Sequence, residues 1–506
     1  MNEKFDFIGL IVYDLANNHQ GSIAHGLRII NEIAAVSNAA GVKGAIKFQF
    51  RNLDTIIHPA YRKSLDNRHI PRFLSTRLSE KEFETLISEV QKNHLITICT
   101  PFDEDSVDLI MKLDIEIIKI GSCSNKDWPL LEKVAETGKP VVCSTGGLNI
   151  KEIDNLVSFF QHRGVHFALM HCIGIYPTPG DKLQLNQIET LRNRYPQVTI
   201  GFSTHEVPDN FDAIKIAYAK GARLFERHVG IPTEEFKLNA YSSTPEQIKN
   251  WLQAYKETIE ACGAENKPPV DHQEEESLQS LMRGVYVKKD LKKGTTIKKS
   301  EVYFAMPLLE KQLKSGEFKE NLIADKDYKK DEPLSEKIYL HKPTTKEIIY
   351  STIHEVKGML NIARVPIGDE FSVEFSHHYG IERFQEVGAI IIDCINRAYC
   401  KKLIIQLSGQ KHPYHYHKKK EETFQVLYGE LEIEIEGKRK VFYPGDTIVI
   451  QQGVWHNFQT SKGVIFEEIS TTHFDDDSFY EDKTINKINR EERKTKLINW
   501  GRYQFD

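Results

Sequence analysis

The chain has 506 residues, of which 40% are hydrophobic, and a formal net charge of −5 at pH 7. This length suggests about three domains with full cores, and the charge gives no reason to expect nucleic acid as a partner. No stretch approaches the apolar length of a membrane span, and the N-terminus carries no signal-peptide pattern. Seven cysteines without a CxxC pair predict reduced thiols in a cytoplasmic protein.

Eight short apolar runs alternate with amphipathic helical patterns over residues 1–265. Nearly continuous apolar strands between helices indicate a parallel sheet covered on both faces, and eight such units predict a (β/α)8 barrel. A doubly wound open sheet is the alternative, but YDLANNHQGS after the first strand lacks the GxGxxG fingerprint of that fold. The predicted strands are 8–14, 44–50, 96–102, 115–122, 140–146, 166–172, 198–205 and 223–229.

All eight predicted strands end in polar residues. In a barrel these ends converge on one mouth, where active sites lie. A single polar strand end is more often a helix cap or a turn residue, but eight in succession favour a shared site. The polar ends include Asp14, Asn18, His19, Lys47, Gln49, Thr100, Lys119, Ser122, Ser144, Ser203, His205, Glu226, Arg227 and His228.

Three of these residues are cations, namely Lys47, Lys119 and Arg227. Burying cations in a barrel mouth is costly unless an anion compensates them, so they predict an anionic substrate. The neighbouring hydroxyl groups and glycine amides are donors that suit a phosphate and a carboxylate.

Two histidines, His205 and His228, end adjacent strands, so one divalent metal ion could bridge them. Asp14 or Glu226 could complete the metal shell or act as a base. A lone histidine is more often a hydrogen-bonded core residue, and we interpret His171 in that way.

Eight short stretches resemble the sialic acid synthase family, whose members join phosphoenolpyruvate to an aldose and make 3-deoxy-ulosonic acids. They occur in the family's order and spacing and cover nearly the whole barrel. The stretches are NNHQGS, IKFQ, TPFD, IKIGS, STGG, HCIGIYPTP, GFSTH and FERH. The resemblance implies that phosphoenolpyruvate is held by Lys47, Thr100, Lys119, Ser122, Ser144 and Ser203. It further implies manganese or magnesium on His205 and His228, with Tyr176 and Gln49 facing the acceptor sugar.

The reaction implied by the resemblance has three steps. The metal polarises the aldehyde, carbon 3 of phosphoenolpyruvate attacks it, and water captured at carbon 2 leads to loss of phosphate. Asp14, where the family usually has glutamate, is the candidate that handles the proton of this water. The predicted catalytic residues are Asp14, Lys47, Lys119 and Arg227. The predicted substrate-binding residues are Asn18, His19, Gln49, Thr100, Ser122, Ser144, Tyr176, Ser203 and Glu226.

The sequence departs from the family mainly on the sugar side. Cys123, Ser124, Gly174 and Thr204 stand where glycine, glutamate, asparagine and aspartate are usual. Because such changes retune specificity, we predict an acceptor other than plain N-acetylmannosamine. Two alternatives are a non-catalytic sugar-phosphate-binding protein on the same scaffold and an aldolase with a Schiff base on Lys119.

The middle of the chain predicts a linker and a small domain. Residues 266–280 contain prolines and many charges, which is typical of an exposed linker. Residues 281–340 alternate apolar residues with lysine-rich turns and resemble the antifreeze-like (SAF) domain of the same family. The resemblance implies a homodimer in which this domain caps the partner's barrel. Met306 stands where the family's sugar-binding arginine is expected, and Lys311 or Lys314 is a possible substitute.

Residues 341–506 resemble a cupin, a double-stranded β-helix barrel. His415, His417 and Glu422 fit its first motif, and His456 fits the second. Three imidazoles and one carboxylate suit Mn, Fe, Ni, Zn or Co, with Glu421 as an alternative ligand.

Two roles remain open for this domain. A faint resemblance to lyxose-isomerase-type cupins suggests that it isomerises or epimerises a sugar, with Glu467 or Glu468 moving a proton. The other role is a binding module that holds a sugar or stabilises the oligomer. The C-terminal tail has apolar residues at loose helical spacing, which predicts a surface helix.

Overall fold

The structure is a computed structural model that describes residues 4–63, 66–67, 69–338, 343–368 and 370–500. The chain separates into two units, Met1–Pro269 and Val270–Asp506, and the boundary falls inside the segment predicted as a linker. The predicted boundary between residues 340 and 341 lies outside the described residues.

The first unit contains a closed barrel of parallel strands in sequence order, which confirms the predicted (β/α)8 fold. Strand β1 pairs with both β2 and β8, so the sheet has no open edge. Each strand lies within a predicted run, except that β2 begins one residue earlier. The strands are β1 Leu10–Asp14, β2 Lys43–Phe50, β3 Ile96–Pro101, β4 Ile117–Ile120, β5 Val141–Ser144, β6 Phe167–Cys172, β7 Thr199–Thr204 and β8 Leu224–His228.

Helices follow the strands and cover the outside of the barrel. Ser79, Asn149 and Thr244 begin three of them with capping boxes, which satisfy amides that have no partner inside the helix. In the described ranges, every helix is too short or too polar to traverse a bilayer. The helices of this unit are α1 Ile23–Ala40, α2 Leu53–Ile56, α3 His69–Ser75, α4 Glu80–Lys92, α5 Glu104–Lys112, α6 Trp128–Ala135, α7 Ile150–His162, α8 Asn186–Arg194, α9 Asp212–Ala219 and α10 Pro245–Cys262.

Alternation along the strands separates two apolar layers. Val12, Ile98 and Leu224 belong to a cluster that fills the barrel interior. The residues next to them in sequence, such as Ile11 and Phe225, pack outward in a cluster with the helices. Above the interior apolar layer, the same inward positions become polar, and this places the candidate site at the C-terminal ends of the strands.

The second unit begins with the exposed helix α11, His272–Leu281, which lies in the segment predicted as a linker except for its last residue. A small β-rich fold follows, as predicted, with two antiparallel strand pairs, β9–β11 and β10–β12. Its strands are β9 Gly284–Val287, β10 Thr296–Ile297, β11 Val302–Ala305 and β12 Leu322–Ile323.

Helix α12, Thr345–Ala363, precedes two antiparallel sheets of seven and five strands, which confirm the predicted cupin fold. The seven-stranded sheet contains β13 Val373–Ser376, β14 Ala389–Asn396, β15 Tyr399–Gln406, β17 Glu422–Gly429, β20 Thr447–Ile450, β22 Val464–Thr471 and β24 Lys494–Leu497. The five-stranded sheet contains β16 His415–Tyr416, β18 Leu431–Ile435, β19 Lys438–Phe442, β21 His456–Gln459 and β23 Phe479–Tyr480.

The prediction of a surface helix in the C-terminal tail is wrong. Ile485 is buried in a 3-10 turn, and Leu497 lies in β24 opposite Val373 of β13. A few apolar residues at loose spacing do not distinguish a helix from a turn followed by a strand, because the periodic signal is too short. Residues 501–506 of the tail lie outside the described residues.

Candidate functional site

Four buried charges meet inside the barrel and form what we call the charged cluster: Asp14, Lys47, Lys119 and Glu226. Lys47 Nζ lies 3.0 Å from Asp14 Oδ2 and 2.9 Å from Glu226 Oε1. Lys119 Nζ lies 3.3 Å from the same Glu226 oxygen. Two cations therefore share one carboxylate, and the four charges balance.

Lys47 and Glu226 of the charged cluster remain ionised despite their burial. Burial would lower the pKa of Lys47, but Asp14 and Glu226 raise it above its ordinary value. Burial would raise the pKa of Glu226, but Lys119 and Lys47 hold it well below its usual range. Charges that are compensated in this way persist in a low-dielectric interior and are available to bind a charged ligand.

Hydroxyl groups surround the charged cluster. Ser144 Oγ accepts a hydrogen bond from Lys119 Nζ at 2.7 Å, and Ser203 Oγ donates to Glu226 Oε1 at 2.8 Å. Thr100 Oγ1 is buried and has no hydrogen-bond partner among the described residues. Within the described ranges, Ser122 Oγ donates only to the sulfur of Cys172, at 3.5 Å. Because buried polar groups are normally paired, the free capacity of Thr100 suits a bound ligand.

The barrel histidines lie next to the charged cluster. The ring centroids of His205 and His228 are 5.3 Å apart, and His228 Nδ1 is 3.2 Å from Asp14 Oδ2. Burial and the neighbouring His228 lower the pKa of His205 to about 3, so that it is neutral at pH 7, as a metal ligand must be. The two imidazoles could serve as ligands of a divalent ion, although in the described residues no third ligating side chain lies within 4.8 Å of both.

An aromatic side chain covers this pair. The ring of Tyr176 lies 4.2 Å from that of His205, and Tyr176 is 50% exposed. It therefore stands at the open side of the mouth, and contact with an acceptor sugar stays a prediction. His171, by contrast, is a buried core residue whose Nε2 lies 2.8 Å from the Leu183 carbonyl oxygen, as predicted.

The prediction that Arg227 faces the site is contradicted by the structure. Arg227 lies between Glu226 and His228, which point into the barrel, so strand alternation turns it outward. Its guanidinium donates to the carbonyl oxygen of Pro208 at 2.9 Å and lies 5.5 Å from the ring of Trp251 in α10. Arg227 therefore ties the barrel to its helical layer and is not a catalytic residue.

Asn18 and His19 hold the loop after β1. Asn18 Nδ2 donates to the Val229 carbonyl oxygen at 2.7 Å and to Ser242 Oγ at 3.0 Å. His19 Nδ1 accepts a hydrogen bond from the Gly21 amide at 3.1 Å. These bonds show both side chains supporting the loop, and substrate binding by either of them stays a prediction.

The buried histidine of this loop makes stability depend on pH. Burial, assisted by Arg72, lowers the pKa of His19 to about 4. Below about pH 6.5 the imidazole of His19 binds a proton in the unfolded chain but not in the folded chain. The contribution of His19 to the free energy of unfolding is therefore complete above about pH 6.5 and is lost as the pH falls toward 4. We expect His19→Asn to reduce the fall in the free energy of unfolding between pH 7 and 4 by about 3 kcal/mol, measured by urea titration. The amide oxygen of the asparagine can still accept the hydrogen bond from Gly21.

The matched control for this prediction is His58→Asn. His58 Nδ1 accepts from the Ala60 amide at 3.2 Å in the same kind of turn, but the side chain is exposed. This variant should follow the wild-type profile between pH 7 and 4. Equal slopes for His19→Asn and the wild type would show that His19 does not cause the decline.

A cavity of about 320 Å³ opens beside Gln49 and His19. Gln49 Nε2 reaches Asp14 Oδ2 at 3.5 Å, and Gln49 Oε1 accepts a hydrogen bond from Arg51 at 2.8 Å. The sequence interpretation missed Arg51, although Lys47, Gln49 and Arg51 alternate along β2 and its extension. That spacing was the available signal, because alternate residues share a face.

The cupin brings its predicted histidines together. One ring nitrogen from each of His415, His417 and His456 lies within 4.8 Å of the others, and within the described ranges no further group of this kind occurs. Each Nδ1 faces a backbone carbonyl oxygen, at 3.0, 2.6 and 3.1 Å respectively. These contacts fix the ring orientations and leave the three Nε2 atoms to converge on one point.

Glu422 completes the cupin set. Its Oε1 is 3.5 Å from His417 Nε2, and its Oε2 is 3.2 Å from His456 Nε2. Both Glu422 Oε2 and His456 Nε2 are buried without a hydrogen-bond partner in the described part of the chain, as expected for atoms that await a metal ion. The alternative ligand, Glu421, is exposed and faces away, so the residues present fit an ion held by Glu422.

A buried lysine lies beside these ligands and was missed from the sequence. Lys420 Nζ contacts Glu422 and lies 3.0 Å from Glu468 Oε1. Burial would lower the pKa of Lys420, but the two carboxylates raise it above its ordinary value. Of the two predicted glutamates, Glu468 is buried at this site, whereas Glu467 pairs with Lys401 on the other face of β22.

Comparison with known proteins agrees with this architecture. A profile of the NeuB family matches residues 33–267, and a cupin domain profile matches residues 403–465. An uncharacterized protein of Methanocaldococcus jannaschii is 32% identical over 292 residues, which cover 57% of this chain and 82% of that protein. The N,N'-diacetyllegionaminic acid synthase of Campylobacter jejuni is 26% identical over 65% of this chain and 99% of its own length.

A solved structure is similar over the same region. The crystal structure of a candidate spore coat polysaccharide biosynthesis protein E from Chromobacterium violaceum has a TM-score of 0.63 and 42% identity. The match covers 65% of this chain and 98% of that one. The barrel, its charged interior and these relatives together establish that the chain belongs to the NeuB family.

Proposed function

We propose that the barrel condenses phosphoenolpyruvate with an aldose, forming a 3-deoxy-ulosonic acid and releasing phosphate. The observation that carries this proposal is the pair of buried lysines, Lys47 and Lys119, that share Glu226. They supply positive charge for the phosphate and carboxylate of phosphoenolpyruvate inside a water-poor barrel. The acid synthase of Campylobacter jejuni among the relatives supports a reaction of this class.

The residues around the charged cluster have separate tasks. A divalent ion held by His205 and His228 would polarise the aldehyde of the acceptor. Lys119, with Ser144 at 2.7 Å, positions the enol phosphate so that its carbon 3 faces that aldehyde. Asp14 accepts the proton of the water that adds at carbon 2, and Lys47 Nζ lies 3.0 Å from this carboxylate.

An assay of phosphate release tests this function. The full chain is incubated with phosphoenolpyruvate, manganese and a panel of hexoses and hexosamines. We expect release only when both an aldose and a divalent ion are present, with an acceptor other than N-acetylmannosamine giving the highest kcat/KM. No aldose-dependent release from any member would refute the proposal, and trapping by borohydride with pyruvate would instead favour the Schiff-base aldolase.

We also propose a homodimer in which residues 281–340 cover the partner's barrel mouth. Met306 is 54% exposed, and Lys311 is exposed on the same loop, so this loop presents both an apolar group and a cation. Sedimentation analysis of the full chain should give twice the monomer mass. A monomer that retains full activity would contradict this arrangement.

For the cupin we infer that it isomerises or epimerises a sugar. The observation that favours turnover over simple binding is the contact of Lys420 with both Glu422 and Glu468. Glu468 can take a proton from a sugar carbon, and Lys420 can stabilise the negative charge that develops on the oxygen next to it. The metal ion supplies polarisation of the sugar carbonyl when it is bound.

Proton exchange with solvent distinguishes an isomerase from a binding module. The full chain is incubated in deuterated water with ketoses and manganese but without phosphoenolpyruvate, so that the barrel cannot turn over. We expect deuterium incorporation next to the sugar carbonyl and a loss of at least about 100-fold in Glu468→Gln. Glu467→Gln, on the opposite face of the strand, is the matched control and should exchange at the wild-type rate. Absence of exchange in the wild type would favour the binding module.

A further inference from the structure

Arg51 lies at the end of β2 with its guanidinium over two aromatic rings. Its Cζ is 4.1 Å from the ring centroid of Phe73 and 3.7 Å from that of Phe102. A guanidinium that stacks on rings keeps its N–H donors in its own plane, where they remain free for a flat or branched acceptor. The rings therefore hold Arg51 in position without using its hydrogen-bonding capacity.

The charge of Arg51 has no carboxylate partner within 4.0 Å among the described residues, since its hydrogen bond goes to the neutral amide of Gln49. The other arginine that lines the cavity is paired, since Arg77 binds Asp54 at 2.6 Å. Of the two lining carboxylates, Glu80 contacts Lys112, and Asp105 accepts hydrogen bonds from the neutral groups of Asn52 at 2.8 Å and Thr55 at 3.3 Å. Arg51 is thus the lining cation that has no carboxylate partner among the described residues, and burial lowers its pKa to about 10.

The cavity adjoins the proposed reaction centre. Gln49 joins Arg51 to Asp14, and Asp14 Oδ2 lies 3.2 Å from Nδ1 of the candidate metal ligand His228. A volume of about 320 Å³ is within the range of small-molecule pockets, which is about 300–1,000 Å³. A sugar whose aldehyde lies at the barrel histidines could therefore extend its far end into this cavity.

We propose that Arg51 recognises an anionic group, either a phosphate ester or a carboxylate, on the far end of the acceptor sugar. This inference rests on the proposed condensation, because the acceptor is defined by that reaction. Arg51 thereby acts as a specificity residue that selects charged acceptors over neutral ones of the same stereochemistry.

Binding of unreactive analogues tests this assignment without any turnover. Hexitols lack the aldehyde that condensation consumes, so they bind without reacting. Calorimetry measures the binding of three ligand series to the full chain with saturating phosphoenolpyruvate. These series are the hexitol 6-phosphates, the corresponding hexonates and the neutral hexitols. We expect at least one anionic series to bind at least tenfold more tightly than its neutral parent. Phosphates and carboxylates are separate arms, so the tighter series identifies the group.

Variants then assign the preference to one side chain. Arg51→Gln should weaken the preferred anionic ligand at least tenfold, and Arg51→Lys should weaken it less. Arg77→Gln, the matched control in the same cavity, should stay within twofold of the wild type. A Kd for phosphoenolpyruvate equal to that of the wild type shows that the barrel of each variant is intact.

Two results would overturn the inference. One is that no anionic hexitol derivative binds more tightly than its neutral parent, and the other is that Arg51→Gln and Arg77→Gln lose affinity equally. Neither depends on phosphate release, so a failure of the proposed function appears separately, as absence of turnover with any acceptor.

Discussion

Replacing Lys47 by methionine is expected to abolish phosphate release and to lower the free energy of unfolding by about 3–5 kcal/mol. Lys47 is buried and touches Asp14 at 3.0 Å and Glu226 at 2.9 Å. Its loss leaves one of two carboxylates uncompensated in a water-poor interior and removes a cation that the substrate anion needs. Urea unfolding measures the first effect, and steady-state phosphate release measures the second.

A second variant separates these two effects. Adding Asp14→Asn to Lys47→Met leaves Lys119 and Glu226 as a balanced pair, 3.3 Å apart. We expect the double variant to regain a substantial part of the lost stability, because no charge is then unpaired, while its activity stays absent. Activity of Lys47→Met within tenfold of the wild type would show that Lys47 is a structural residue only.

Replacing His456 by leucine is expected to remove one metal equivalent from the full chain. His456 Nε2 has no hydrogen-bond partner in the described ranges and lies 3.2 Å from Glu422 Oε2, so its lone pair is directed at the proposed ion. Loss of one of four ligands should weaken manganese binding by more than about 100-fold, which exceeds the usual effect of a residue that only supports a ligand. Metal analysis of protein freed of loosely bound ions, followed by calorimetry, measures this change.

The matched control is a neighbouring histidine outside the ligand set. His412 lies 4.6 Å from His415, ring to ring, but its Nε2 faces His378 Nε2 at 3.1 Å rather than the centre. His412→Leu should therefore retain the metal, with a loss of about tenfold or less. Equal losses in His456→Leu and His412→Leu would mean that the converging nitrogens do not form the site.

The sequence predicted the barrel well because its signals are local. Apolar β-rich runs between amphipathic segments mark strands and helices wherever they lie, and polar residues at eight strand ends indicate a shared mouth. It was less informative about which way each polar side chain points. Glu226 and Arg227 are adjacent and equally polar, yet one faces the barrel interior and the other faces Trp251.

In the cupin, too, the sequence predicted the ligands but not the contacts between residues that are far apart in the chain. Its ligands were predicted because HxH and a later histidine have a characteristic spacing. Lys420, one of three consecutive lysines, was missed, and it is buried because Glu422 and Glu468 approach it from two strands. Arg51 was missed because its stacking partner Phe73 comes from a helix that no local pattern connects with β2.

By itself the sequence determined the number and kind of elements in the barrel, the chemistry available at the barrel mouth and the ligand types of the cupin. These follow from composition and from the spacing of residues along the chain, which can be seen without knowledge of the fold. Only the tertiary structure decided which charges share a partner and which remain free, because pairing depends on strand register and on residues far apart in sequence. That difference separates Lys47, Lys119 and Lys420, held by carboxylates, from Arg51, which has no carboxylate within 4.0 Å in the part of the chain that the structure describes.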